Sequence, residues 1–331
     1  MARSCKVAKS WHDGIIHWIC HLLSSTADSL QLPSLRNDSA RAIMLEERKS
    51  TLKYSFIDVK GKSIAYMAEG NGVPIILLHG WPQSSHVWHK VVPFLAAKHR
   101  VVLIDLPGLG ESQSFDVFDT GGVADIISDT TEALGISGYH LVGHDIGAWV
   151  ATSLALRHEG RLKSLTVVDA GIPGLIPDEI FKPSNASRVW QFYFHAVGDI
   201  PELLTEGRER EYLSWYFRNK AIVKDAISES DIDLYTSQYL RKNAMSNGFG
   251  YYRSFTKSAD QNRSFQQKLA IPVLAVGGES AVGASIGAAM NKIATIVTTK
   301  VIANCGHYVP EERPNEFSET LLDFINGCGV A

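Results

Sequence analysis

The chain has few cysteines, no excess of one charge and no long apolar run, and each shortage excludes a class of protein. The 4 cysteines among its 331 residues are too few and too scattered for a disulfide scaffold, and none forms a CxxC pair typical of zinc sites. Basic and acidic residues, 32 and 35, nearly balance to a net charge of −3. Without a basic excess, a nucleic-acid partner loses its electrostatic support.

The longest apolar stretch near the N-terminus is Gly14 to Leu23, which His17 and His21 interrupt. A membrane span needs ~20 predominantly apolar residues, so we expect no span here. Basic residues precede the stretch, as in a signal peptide, but the residues after it make a poor cleavage site. We interpret residues 1–50 as an N-terminal extension, an amphipathic helix plus a linker. We expect a cytoplasmic protein, with secretion as the less favoured alternative.

From residue 51, short apolar runs bounded by glycine, proline or charge alternate with helical patterns. This alternation predicts an α/β fold with a mostly parallel sheet covered on both faces. The predicted strands are Ser63–Ala68, Pro74–Leu78, Arg100–Ile104, His140–Val142, Leu165–Val168, Pro272–Val276 and Ile296–Ile302. The predicted helices outside the segment 173–268 are Thr120–Leu134, Trp149–His158 and Asn315–Ile325.

Residues 173–268 carry helical patterns without strands and hold 16 of the chain's 31 aromatic residues. A helical insertion between two parallel strands lies at the carboxyl edge of the sheet, where open α/β sheets bind their ligands. We therefore predict an α/β core of residues 51–172 and 269–331, with residues 173–268 as a helical cap.

The strongest local signal is the segment Gly143 to Gly147, which reads G-H-D-I-G between a predicted strand and a predicted helix. Small residues two before and two after the central residue allow the sharp turn called the nucleophile elbow. The central residue is Asp145, and a carboxylate attacks alkyl carbons to leave an ester on the enzyme. A helix-capping aspartate and a metal-binding His-Asp pair are the alternatives.

A serine version of the same motif occurs at Gly283 to Gly287, around Ser285. No strand leads directly into it, and no acidic residue lies between it and His307 to complete a triad. We predict a loop or the start of a helix at this position.

Three further motifs follow predicted strands: H-G-W-P from His79, D-L-P-G-L-G-E-S from Asp105 and C-G-H-Y-V-P from Cys305. Together with the aspartate elbow they resemble the α/β-hydrolase fold over residues 51–331. The resemblance is to its epoxide hydrolase and haloalkanoate dehalogenase branch, most closely the Cif-type epoxide hydrolases. It implies a cap inserted after the sixth strand and a hydrolase that needs no cofactor and no metal.

In that family the histidine at the position of His307 is the general base that activates water. The N–H groups of Trp81 and Ile146 match the family's oxyanion hole. The resemblance implies that His79 holds the oxyanion loop in place beside the substrate.

Two acids are candidates for orienting His307. Most members of the fold place the acid after the strand that follows the cap, which is Glu279 here. Fluoroacetate dehalogenases and Cif-type epoxide hydrolases place it before the cap, which is Asp169 here. We prefer Asp169 because it lies 24 residues after Asp145, a spacing that resembles this subset.

The sequence Gly250-Tyr251-Tyr252-Arg253 resembles the family's ring-opening tyrosine motif. A phenol, of pKa ~10, can polarise an epoxide oxygen and then protonate it. We select Tyr252, with Tyr251 as the second candidate; the alternative is that both belong to the core of the cap. Cif-type enzymes carry a second donor, a histidine, where this chain has Gln191, an amide that cannot deliver a proton. His195, one helical turn later, is a candidate substitute.

Haloacetate dehalogenases carry arginines one and four residues after the nucleophile, where this chain has Ile146 and Trp149. Haloalkane dehalogenases usually carry tryptophan directly after the nucleophile. We therefore predict an apolar pocket, with Trp149 and Trp190 among its walls, for a small hydrophobic epoxide. The alternatives are a dehalogenase of the same mechanism and a non-hydrolytic biosynthetic member of the fold. We also consider a homodimer.

Overall fold

The computed structural model describes residues 52–328 and contains one eight-stranded sheet. The N-terminal extension predicted for residues 1–50 lies outside the described residues. The strands are β1 (Ser55–Val59), β2 (Lys62–Glu69), β3 (Pro74–Leu78), β4 (Arg100–Ile104), β5 (Tyr139–His144), β6 (Leu162–Val168), β7 (Val273–Gly278) and β8 (Val297–Ile302).

The spatial order of the strands is β1-β2-β4-β3-β5-β6-β7-β8. Strand β2 is antiparallel to both neighbours, and β3 to β8 are parallel to one another. The predicted mostly parallel sheet is therefore confirmed, with every predicted strand present. Strand β1 was not predicted because most of its side chains are exposed, which leaves no apolar run in its sequence.

The helices are α1 (Val92–Leu95), α2 (Thr120–Ala133), α3 (Ile146–His158), α4 (Ala186–Ala196), α5 (Ile200–Thr205), α6 (Glu209–Lys220), α7 (Glu229–Tyr239), α8 (Ala244–Arg253), α9 (Phe255–Ser264), α10 (Ser285–Met290), α11 (Val309–Glu312) and α12 (Pro314–Gly327). The three helices predicted from the sequence correspond to α2, α3 and α12. Within residues 52–328, no helix is both long and apolar enough to cross a membrane.

Strand β3 shows why the sheet is covered on both faces. Ile76 and Leu78 belong to one buried apolar cluster, whereas Ile75 and Leu77 belong to another. Successive side chains of a strand point to opposite faces, so each face of the sheet carries its own apolar layer. A strand buried on both faces is the environment in which a continuous apolar run is stable.

Between β6 and β7 the described chain forms helices α4 to α9 and two short 3₁₀ helices, with no strand of the sheet. We call this segment, residues 173–268, the helical insertion. The carboxyl ends of the parallel strands lead into the loops that carry the candidate site. These loops begin at His79, Asp105, Asp145, Asp169 and Glu279.

Candidate active site

Asp145 lies at the junction of β5 and α3 with φ 52° and ψ −121°, a backbone conformation that residues with side chains rarely adopt. A Cβ atom on Gly143 would lie 2.2 Å from the carbonyl oxygen of Gly147. A Cβ atom on Gly147 would lie 2.4 Å from the carbonyl oxygen of Leu78. The turn therefore requires glycine at both places, which gives the G-x-D-x-G pattern its steric reason.

The structure brings Asp145, His307 and Asp169 together. The Nδ1–H group of His307 donates a hydrogen bond to Oδ1 of Asp169 over 2.8 Å. On the other side of the ring, Nε2 of His307 lies 3.4 Å from Oδ2 of Asp145. One carboxylate thus orients the imidazole, and the other faces its second nitrogen.

Asp169 is held in place by the backbone around it. It is fully buried, and its Oδ2 accepts hydrogen bonds from the N–H groups of Gly278 (2.7 Å) and Val282 (3.3 Å). Glu279 is exposed, and its carboxylate accepts the N–H of Asn304 over 2.9 Å. The structure therefore places Asp169, and not Glu279, against His307.

Burial alone would lower the pKa of His307 and raise that of Asp145, but the contacts between them outweigh burial. The hydrogen bonds to Asp145 and Asp169 raise the pKa of His307 to about 9. The hydrogen bond from His307 lowers the pKa of Asp145 to about 2. At neutral pH the two groups form a carboxylate–imidazolium pair.

This pair predicts a pH-dependent stability. The pKa of His307 is raised from 6.5 to about 9, so its stabilising contribution is complete below pH 6.5 and is lost as pH rises through about 9. We expect the thermal unfolding midpoint to fall between pH 7 and pH 9.5, and less steeply in His307→Gln. Burial also raises the pKa of the Cys305 thiol, so both proteins lose some further stability as the pH becomes alkaline. Parallel profiles for the two proteins would contradict the assignment.

The candidate oxyanion site lies opposite His307. The backbone N–H of Trp81 donates to Oδ1 of Asp145 over 3.0 Å. Ile146 is the first residue of α3, and the first N–H groups of a helix have no partner within it. His79 is buried and makes two hydrogen bonds of 3.0 Å. Its Nε2 accepts the N–H of Leu106, and its Nδ1–H donates to the carbonyl oxygen of Gly80. It therefore joins two loops, as expected for a group that supports the oxyanion loop.

Helix α8 directs its two candidate tyrosines differently. The hydroxyl of Tyr251 donates to the carbonyl oxygen of Pro107 over 2.9 Å, so a core loop occupies it. The ring of Tyr252 lies edge-on to Trp81 and Trp149, at centroid distances of 5.9 and 5.6 Å. Burial and then the charge of Asp145 raise the pKa of Tyr252 well above its usual value, so this phenol keeps its proton.

The remaining predicted pocket residues lie on α3 and α4. Gln191 is buried, and among the described residues its Oε1 has no hydrogen-bond partner. The indole N–H of Trp149 is buried and equally without a partner there. The ring of Trp190 stacks on that of Tyr216 with a centroid distance of 5.6 Å, and lies in the aromatic layer behind the reacting groups.

That layer contains His195, the candidate substitute donor, whose hydrogen-bond partners the sequence did not reveal. Nε2 of His195 lies 2.6 Å from the hydroxyl of Tyr212, and Tyr212 lies 3.3 Å from the hydroxyl of Tyr216. The ring of His195 also packs against Tyr252 at 4.5 Å. Only the aromatic density of the segment, with His195 one turn after Gln191, pointed to this arrangement.

Lys220, at the end of α6, is a second residue that the sequence did not single out. Its carbonyl oxygen accepts the N–H of His307 over 3.1 Å, and its ammonium lies 5.3 Å from the centroid of the Tyr216 ring. Burial lowers the pKa of Lys220, and the charges of Asp145 and Asp169 oppose that shift. The prediction of an uncharged pocket did not consider this ammonium group.

Glu312 fixes the loop that carries His307. Its Oε2 accepts the N–H groups of Ile222 (2.8 Å), Val223 (3.0 Å) and Gly306 (3.0 Å), and its Oε1 accepts that of Tyr308 (3.0 Å). One buried carboxylate thus joins the histidine loop to the helical insertion. In the sequence it is one acid among many, with no motif that distinguishes it.

One other histidine and one serine from the sequence motifs, His144 and Ser285, have structural partners. Nε2–H of His144 donates to the carbonyl oxygen of His307 over 2.9 Å, and burial lowers the pKa of His144 to about 4. Ser285 is exposed at the start of α10, and its hydroxyl donates to the carbonyl oxygen of Val282 over 2.6 Å. The prediction of a loop or helix start at the serine motif is therefore confirmed.

Comparisons with known proteins show which family the chain resembles. Residues 73–314 match the family model described as alpha/beta hydrolase fold. A soluble epoxide hydrolase from Corynebacterium sp. (strain C12) is 32% identical over 280 residues, which are 81% of this chain and 95% of that protein. The crystal structure of Cfl2 wild-type from Burkholderia cenocepacia is 38% identical, with a TM-score of 0.81, over 84% of this chain and 97% of that one. A fluoroacetate dehalogenase from Burkholderia sp. is 33% identical over 166 residues, 46% of this chain and 54% of that protein.

Proposed function

The chain belongs to the α/β-hydrolase-fold family, in its epoxide hydrolase branch, and we propose that this hydrolase opens hydrophobic epoxides to vicinal diols. The observation that carries the proposal is the position of Asp145. Its carboxylate contacts the N–H of Trp81 on one oxygen and faces His307 with the other. The phenol of Tyr252 lies in the same pocket and keeps its proton.

In the proposed first step, Oδ2 of Asp145 attacks an epoxide carbon. The carbon–oxygen bond of the ring breaks, and Tyr252 gives its proton to the departing alkoxide. The product is an ester between Asp145 and the substrate. Oδ1, which the N–H of Trp81 already contacts, becomes the carbonyl oxygen of that ester.

In the second step, His307 takes a proton from a water molecule that attacks the ester carbonyl carbon. Negative charge then develops on Oδ1, where the N–H groups of Trp81 and Ile146 stabilise it. Collapse breaks the bond between that carbon and Oδ2, which leaves with the diol, and the water oxygen stays on Asp145. The proton of the carboxyl group then completes the diol, and His307 keeps the proton from water, so Asp145 and His307 return to their charged resting pair.

The charges support this order of steps. The pKa of Asp145 is about 2, so the nucleophile is ionised at neutral pH. Formation of the ester removes its charge, and His307 then loses one of the two groups that raise its pKa. Its pKa falls as a result, so the imidazolium gives its proton to the phenoxide of Tyr252 and becomes a base before water is activated.

We propose that the helical insertion, residues 173–268, is the cap over a core formed by residues 51–172 and 269–331. The rings of Tyr216 and Tyr252 on this side pack against Trp81, which contacts Asp145, and so give the site an apolar surround. Such a surface favours hydrophobic substrates and excludes water, which strengthens the electrostatic interactions within the site.

Dehalogenation by the same mechanism is a second candidate. Displacement of a halide from an alkyl carbon needs donors around an anion but no proton transfer. Among the described residues, the buried indole N–H groups of Trp81 and Trp149 have no partner. Both rings contact Tyr252, so these two donors favour the candidate.

Replacement of Tyr252 by phenylalanine tests the proposal. We expect ester formation from an epoxide to slow by about 10²-fold, because the general acid is lost. Hydrolysis of the preformed ester should keep its rate. Rapid-quench single-turnover kinetics separates the two steps, with an alkyl bromide of the same carbon skeleton as the second substrate. The bromide should lose less than the epoxide.

Tyr251→Phe is the matched control, because it removes the neighbouring hydroxyl, which donates to Pro107. It should leave ester formation within about threefold of the unsubstituted rate. Equal losses on the epoxide and the bromide would make Tyr252 a structural residue. Bromide release by a protein that turns over no epoxide would favour the dehalogenase.

A further inference from the structure

Three potential metal ligands meet where the core contacts the helical insertion, outside the catalytic groups. His86 lies in the short 3₁₀ helix Ser85–Trp88 that follows β3, and His89 follows directly after that helix. Asp231 lies in the first turn of α7. One ligand atom from each of these half-buried residues lies within 4.8 Å of the other two. Nε2 of His86 and Oδ1 of Asp231 are 2.7 Å apart.

The two imidazole rings are oriented alike. Their centroids lie 4.3 Å apart, and their planes differ by 6°. Nδ1–H of His89 donates to the carbonyl oxygen of His86 over 2.8 Å. Metal-binding histidines usually donate their second nitrogen in this way, because it leaves the lone pair on the other nitrogen and fixes the ring.

The carboxylate is also fixed in advance. Oδ2 of Asp231 accepts the N–H of Ser228 over 2.9 Å and its hydroxyl over 2.6 Å, in a capping box at the start of α7. Oδ1 therefore faces the imidazoles.

We propose that His86, His89 and Asp231 bind one divalent transition-metal ion of the zinc class, which joins the core to the helical insertion. Two imidazoles and one carboxylate are a donor set that zinc accepts, and three protein ligands leave a position for water. Lys90, directly after His89, brings an opposing positive charge, and its ammonium donates to the carbonyl oxygen of Ala226 over 2.5 Å. We therefore expect weaker binding than at a closed four-ligand site.

The bound ion would stabilise the structure and would take no part in the reaction. A bound ion would connect α7 to the loop after β3, which also carries the oxyanion residue Trp81. None of its three ligands contacts Asp145 or His307 among the described hydrogen bonds and ion pairs. The proposal therefore stands or falls independently of the epoxide hydrolase activity.

The test uses the full-length chain, stripped with a chelator and then dialysed. Zinc is titrated by calorimetry, and cobalt is added to follow its visible absorption, which reports ligand type and geometry. We expect His89→Gln and Asp231→Asn to weaken one binding event at least tenfold. His158→Gln is the matched control, because His158 also pairs with an aspartate, Asp125, over 2.8 Å but has no second histidine. It should leave that event unchanged.

Binding at other histidines of the chain would persist in all variants, so only the difference between isotherms counts. His89→Gln retains the capping box of α7 and the bond between His86 and Asp231, so it decides the question if Asp231→Asn unfolds. Added zinc should also raise the thermal unfolding midpoint of the unsubstituted chain and not that of His89→Gln. Identical isotherms and cobalt spectra for these two proteins would overturn the proposal.

Discussion

Replacement of His307 by glutamine is expected to convert the protein into a trap for its substrate. Asp145 still attacks the epoxide, but no base remains to activate water against the ester. Loss of this general base should slow ester hydrolysis by up to about 10⁴-fold, while ester formation continues. Intact-protein mass spectrometry should show a gain equal to the mass of the whole epoxide, and peptide mapping should place it on Asp145.

The double variant Asp145→Asn/His307→Gln is the control, because it lacks the nucleophile and should gain no mass. A single turnover of the unsubstituted protein in ¹⁸O-labelled water adds an independent check. The label should enter the side chain of Asp145, because the oxygen that leaves with the diol comes from that carboxylate. Mass gained on another residue, or normal turnover by His307→Gln, would refute the mechanism.

Asp169→Asn carries the second large expected effect. The carboxylate fixes the Nδ1–H tautomer of His307 and stabilises its protonated form. The N–H groups of Gly278 and Val282 need an acceptor, which the NH₂ group of an asparagine cannot provide. The asparagine must therefore direct its carbonyl oxygen toward them. The NH₂ group then faces His307 and stabilises the wrong tautomer. We expect ester hydrolysis to slow by about 10⁴-fold, the size of effect known for a wrong tautomer.

Glu279→Gln is the matched control, because Glu279 is an acid that directly follows β7, the strand beside β6. Its carboxylate accepts the N–H of Asn304, a bond that glutamine can keep, so hydrolysis should change by less than about threefold. Single-turnover kinetics on preformed ester measures both variants. The opposite ranking would transfer the orienting role to Glu279.

The sequence predicted best those parts of the site that depend on local spacing. Gly143 is required by a contact with Gly147, and Gly147 by a contact with Leu78, but both stand two residues from Asp145, so the elbow was visible without any structure. The choice between Asp169 and Glu279 was not visible in the same way. Both follow strands beside each other, and the direction of each side chain depends on the loop after it.

Other features were out of reach because they depend on distant parts of the chain. Tyr251 and Tyr252 are adjacent in sequence, but neighbouring residues on a helix point in different directions, and only contacts with Pro107 and Trp81 distinguish them. Glu312 and Lys220 act through backbone groups, which leave no pattern in the amino-acid sequence. The predictions for residues 1–50 remain predictions.

The bonds around Glu312 limit how the helical insertion can move. Glu312 holds residues 222–223 of the insertion and the loop of His307 at once, and Lys220 accepts a bond from His307 itself. Swinging the whole insertion away would expose this buried carboxylate and displace the base. We therefore expect substrate to enter by movement of α4 and α5, whose Leu203 is 69% exposed, while the segment after α6 stays anchored as a hinge. The anchored segment and the loop of His307 then stay together, so opening leaves the orientation of His307 unchanged.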